Sequence, residues 1–178
     1  MESLNHILER IAPALAAYQL RVAECTGYVL QLQAPAIVLR IVYHPLEYSY
    51  SLSLGGTGQR QIAIDNDTLR DFFHSPLALS QVSRTVFTDN LLLFLQGEAR
   101  LLLDGDPARL AALERFDLDR SRTYTAALLL RQNKAALDQA WAEQDYARFT
   151  SIAAETDMSS LPASYVLKYK IAQTKNKS

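Results

Sequence analysis

The sequence predicts an α+β fold, in which an N-terminal helix and a five-stranded antiparallel meander pack on a buried central helix and a C-terminal helical bundle follows. Three observations predict it. Apolar and polar residues alternate with period two from Tyr18 to Ile64, the signature of half-buried strands. From Asp65 onward the pattern is helical, with caps and breakers at the joints. Between them in character lies Leu91 to Asp104, LLLFLQGEARLLLD, which is apolar nearly all the way round and built of strong helix formers. Such a helix has no solvent face of its own, so other elements must cover it. The change of period divides the chain at 1–83, the meander portion, and 84–178, the helical portion, within one domain or two tightly packed subdomains.

Leu4, Ile7, Leu8, Ile11 and Leu15 recur at helical spacing behind Ser3, a candidate cap, so a first helix runs to about residue 12 or beyond Pro13. Tyr18, Leu20 and Val22 form a first strand, and Thr26-Gly27 turns it into a second with Tyr28, Leu30 and Leu32. Ile37 to Tyr43 is apolar on both faces except at Arg40, as the most buried strand of a sheet would be. In Glu47 to Leu54 the Tyr and Leu side chains take one face and Glu and Ser the other. A Gly-rich connection, Gly55-Gly56-Thr57-Gly58, leads to a short fifth strand over 61–64.

Asp65 or Asp67 caps a short helix from Thr68 to His74, which Ser75-Pro76 ends. The central helix, capped by Asp89 or Asn90 or starting as early as Arg84, stops at Asp104-Gly105-Asp106-Pro107. Pro107 opens a short helix through Leu113. A long one is expected over 119–143, another from Asp145, and a last one after Ser160-Leu161-Pro162, ending in a frayed basic tail over 175–178. The segments 123–143 and 145–156 read as an antiparallel helical hairpin.

Composition narrows the function by exclusion. At 178 residues, 49% hydrophobic and 21% charged, the chain can bury a real core. A net charge of −1 gives no basic face for nucleic acid. The Leu91–Asp104 run is too short for a membrane span, and MESLNHILER is no secretory signal, so the expected compartment is the cytoplasm. Cys25, the one cysteine, cannot pair within the chain, and it is expected to be a packed, inert thiol. His6, His44 and His74 lack metal-ligand spacing, so no metal and no cofactor is expected. Gly55 to Arg60 could cradle an anion, but the loop does not open a helix as a Walker loop does, and a hairpin connection explains it better. Asp65-Asn66-Asp67 begins like a calcium loop and lacks the later Gly and Glu, so capping explains it.

Three residues stand out as speculative binding positions. Tyr48 and Tyr50 share a face of one strand, in a chain with nine tyrosines, the residue that gives large contact area with few torsions to freeze. Glu98 points into the apolar side of the central helix, where a carboxylate needs a partner such as Arg120, Arg122 or Arg131, or else lines a polar pocket with a raised pKa. No catalytic group emerges. The layout broadly resembles small immunity-type and secretion-chaperone proteins, a likeness no motif carries. The function expected is a non-enzymatic protein-binding module of a bacterial-type cytoplasm: an immunity, chaperone or adaptor protein whose partner is another protein. A homodimer through the Tyr48/Tyr50 strand or the last helix is a further expectation. The alternative is a small-molecule binder or hydrolase with a pocket between sheet and central helix.

Overall fold

A computed structural model describes residues 4–176. The fold is α+β, with an N-terminal helix, a five-stranded antiparallel sheet, a long helix and C-terminal helices. The chain forms two compact units, up to Asp117 and from Leu118. The boundary between these units falls inside a helix.

In the first unit, α1 (Asn5–Leu15) precedes the strands β1 (Arg21–Cys25), β2 (Val29–Gln33), β3 (Ile37–His44), β4 (Ser49–Gly56) and β5 (Ile62–Ala63). They pair in chain order, each antiparallel to the next. The inner face carries Leu30, Leu32, Leu39, Ile41, Leu52, Leu54 and Ile62, all buried. These side chains meet Ile7 and Ile11 of α1 and Phe87, Leu91, Phe94 and Leu95 of α3 (Arg84–Gln96) in one apolar cluster. Burying a Phe or Leu of this kind is worth about 1.5–3 kcal/mol, so this layer dominates the unit's stability. The outer face is polar, with Gln31, Arg40, Ser51 and Ser53, and His44 Nε2 hydrogen-bonds Ser51 Oγ at 2.8 Å.

Several boundaries differ from expectation. Pro13 stays inside α1, in its last turn, where a missing backbone donor breaks only one bond. The proposed Ser3 cap lies outside the described residues. Tyr18 ends a 3-10 turn, Ala16–Tyr18, and the first strand begins only at Arg21. Asp65 caps α2 (Asn66–Asp71) through Thr68 N at 2.8 Å, as capping predicts.

The central segment is not one helix. It breaks at Gly97–Ala99 into α3 and α4 (Arg100–Leu103). Gly has the lowest helix propensity after Pro, and Gly97 sits at the joint. The segment is buried on one side only: Ala99, Leu102 and Leu103 are inside, while Leu93 and Leu101 are each 55% exposed. Its cap is Ser83, bonding Val86 N, and neither Asp89 nor Asn90. Asn90 instead donates to Ala78 O at 2.8 Å, and Asp89 pairs with Arg10. Asn66 accepts from Leu79 N and Ser80 N, so two amide side chains pin the loop that leads into α3.

After Gly105 (φ 74°), Asp106 caps α5 (Pro107–Ala142) by accepting from Arg109 N at 2.9 Å. The two helices expected over 107–113 and 119–143 are one, because no Gly or Pro interrupts the chain between them. The second unit holds the rest of α5, α6 (Tyr146–Glu155) and α7 (Ala163–Lys175). Asp145 caps α6 through Arg148 N, and Leu137, Ala140, Phe149, Ala153, Tyr165 and Ala172 form a separate core. The expected frayed tail is ordered through Asn176, whose amide donates to Tyr146 O and Thr150 Oγ1; residues 177–178 lie outside the described range.

Candidate functional site

Tyr48 and Tyr50, expected on one face, are separated by the structure. Tyr50 is in β4 and half-buried, its ring stacked on Phe87 at 5.0 Å and against Tyr43 at 4.9 Å. It is part of the core edge. Tyr48 precedes β4 in the turn that joins it to β3, with φ at 50°, and is 81% exposed. Beside it Leu46 is 97% exposed, and Tyr28 projects from the β1–β2 turn at the same end of the sheet. Strand periodicity failed here because the turn runs through the first tyrosine and β4 begins only at Ser49.

Glu98 sits in the Gly97–Ala99 turn, half-buried, with no hydrogen bond or ion pair among the described residues. Among the grooves of the first unit, one of about 420 Å³ lies between Arg21, Val22 and Ala23 of β1 and Gln33 and Pro35 at the end of β2. Another of about 160 Å³ lies between His6 and Arg10 of α1 and Arg84, Thr88 and Asp89 of α3. A third, about 280 Å³, lies where Leu103 and Asp104 meet the β2–β3 turn. Glu98 lines none of these three.

The other sequence candidates resolve into structural roles. Arg60 approaches the buried carboxylate of Asp117 at 2.8 Å, an ion pair rather than an aligned hydrogen bond, so the Gly-rich loop serves the fold. A Cβ at Gly55 would lie 2.4 Å from Arg60 O, which is why the chain needs glycine there. Cys25 is exposed, contrary to the packed thiol expected, because β1 is the sheet's outer strand. Its Sγ donates to Asn5 Oδ1 at 3.0 Å. Among the described residues no three His, Cys, Asp or Glu side chains converge as metal ligands.

Sequence reasoning missed two features of the second unit. The first is a charge cluster. Tyr165, 5% exposed, donates to Asp138 Oδ1 at 2.5 Å, and Lys134 Nζ meets Asp138 Oδ2 at 3.0 Å. Lys168 lies 3.7 Å from the same carboxylate, and 5.0 and 5.4 Å from the Tyr165 and Trp141 ring centres. The Tyr165 hydroxyl, and then Lys134, hold the Asp138 carboxyl below its ordinary range. Burial, and then the carboxylate, push the Tyr165 phenol up. A protonated phenol giving its only hydrogen to a carboxylate has no proton to accept at neutral pH. The cluster clamps α7 to α5.

The second feature is bare helix. Every residue from Ser121 to Leu129 is exposed, and packing against α6 and α7 begins at Leu130. This stretch and its flank hold Leu118 (47% exposed), Tyr124 (71%), Leu128 and Leu129 (53%). Cations border it at Arg120, Arg122 and Arg131, with Asp119 the one carboxylate between Leu118 and Arg131. The asymmetry is general: thirteen Asp and Glu against nine Arg precede Leu118, and six against nine Lys and Arg follow from there. A net charge near zero concealed it.

Compared with known proteins, the chain matches no family model, no curated protein and no solved structure. No described helix is long and apolar enough to cross a membrane.

Proposed function

We propose that the protein is a non-enzymatic protein-binding module of the immunity, chaperone or adaptor kind, working in the cytoplasm. The observation that carries this reading is the bare segment of α5. Helices draw most of their stability from packing an apolar face, and the Thr-Tyr-Thr-Ala-Ala-Leu-Leu run of residues 123–129 is exposed throughout among the described residues. An exposed apolar patch with a polar border is the ordinary mark of a docking surface. Tyr124 fits such a role, as a large side chain with few torsions to order. The arginines around it suit a partner surface that is apolar at its centre and acidic at its margin.

The test is affinity capture from the native host with tagged wild type and with the double variant Leu128→Glu/Leu129→Glu. A partner at stoichiometric level, lost with the double variant while its far-UV spectrum and melting stay unchanged, supports the reading. Absence of any stoichiometric partner, or capture indifferent to the variant, removes its basis.

A further inference from the structure

We propose that β1 is a self-complementary edge, which pairs antiparallel with the β1 of a second copy of this chain to make one continuous sheet. The strand order places β1 at the end of the sheet, with one side bonded to β2 and the other to no strand among the described residues. All five residues from Arg21 to Cys25 are exposed, and Val22 is 50% exposed. An edge of this kind carries unsatisfied backbone donors and acceptors and is a template for another strand.

Charge identifies the occupant. In a regular strand Arg21 and Glu24, three residues apart, would point to opposite faces. Here the register against β2 shifts between Val22 and Glu24: Arg21 is opposite Gln33, and Glu24 is opposite Gln31. Gln31 and Gln33 share one face of β2, so the irregularity brings Arg21 and Glu24 to the same face of β1. Two copies related by a twofold axis normal to the sheet, between residues 22 and 23, then place Arg21 opposite Glu24 of the second copy. The same pair repeats by symmetry. Directly opposed opposite charges stabilise an antiparallel pair, and like charges there destabilise it. Neither a uniformly acidic nor a uniformly basic strand would match this edge as well as the edge itself does.

This inference is independent of the bare α5 segment, which lies in the other unit. The test is molar mass by light scattering over a protein concentration series. Wild type is expected to pass from monomer to dimer as concentration rises. Arg21→Glu and Glu24→Arg each set like charges against each other twice, and each should weaken dimerisation about tenfold. The double swap Arg21→Glu/Glu24→Arg restores opposite charges and should return to within about threefold of wild type. Val22→Lys, a second disruption of the same edge, should also give monomer. Thermal melts confirm that each variant is folded. A wild type that stays monomeric throughout overturns the proposal. So does a dimer indifferent to the single swaps, or a double swap no tighter than the singles.

Discussion

The Tyr165 hydroxyl on α7 gives its hydrogen bond to the Asp138 carboxylate on α5, between two lysines that approach the same group. A buried phenol and a half-exposed ion cluster thus join two helices of the second unit. Trp141, the chain's one tryptophan, lies in the same packing, 5.5 Å from Phe149 and 5.8 Å from Tyr146. Its fluorescence therefore reports this unit.

Tyr165→Phe keeps the ring and removes the donor. Hydrogen bonds to charged groups contribute more than neutral ones, but the carboxylate here keeps access to water and to Lys134, so the expected loss is about 1 kcal/mol. Urea unfolding followed by Trp141 fluorescence measures it. An unchanged midpoint would show that the clamp contributes nothing.

The same cluster sets a pH dependence with a definite sign. Asp138 has its folded pKa depressed, so its contribution is present above the ordinary carboxylate value and is lost as pH falls below about 4. Tyr165 has its folded pKa raised, so its contribution is complete at neutral pH and is lost as pH rises beyond about 10. Melting temperature read at Trp141 should form a plateau between these limits. Tyr165→Phe should flatten the alkaline limb.

Gly105→Ala should destabilise the first unit. The residue is left-handed at φ 74°, and an added Cβ would lie 2.7 Å from the Ala36 side chain. The backbone alone costs about 1–2 kcal/mol in that region for a residue with a Cβ. Denaturant titration followed by circular dichroism checks it, and a neutral result would contradict the turn geometry.

The Cys25 thiol is predicted to react with one equivalent of a thiol reagent in the folded protein, without denaturant, because it is exposed on the outer strand. Asn5→Ala, which removes its hydrogen-bond partner, should change the rate and leave the stoichiometry at one. A thiol that reacts only after unfolding would place β1 elsewhere.

Much of the fold was legible because periodicity is local. Leu30 and Leu32, Leu52 and Leu54, and Ile7 and Ile11 recur at the spacing of the element that buries them. The starts at Asp65 and Asp145 and the turn at Gly105 were legible for the same reason, since each acts on a backbone group a few residues away. Joints were less legible. The break at Gly97 and the continuity of α5 through Asp119 depend on whether packing on either side outweighs a propensity difference of about 1 kcal/mol. Glu98 was read as a buried helical carboxylate from a helical wheel that stops being valid at that break.

The sequence by itself determined the α+β class and the succession of one helix, five strands and further helices. Those properties follow from the 2.0 and 3.6 residue repeats and from short-range capping. Only the tertiary structure decided which apolar residues remain outside. Leu46, Tyr124, Leu128 and Leu129 look in sequence like the leucines and tyrosines that are buried, and Tyr48 looks like Tyr50. Exposure depends on what other elements occupy the space beside a side chain, and that is a property of the assembled layers, not of any local repeat. Likewise, Arg21 and Glu24 came to one face through a shift in pairing with β2, a relation between two strands that neither strand's residues contain alone.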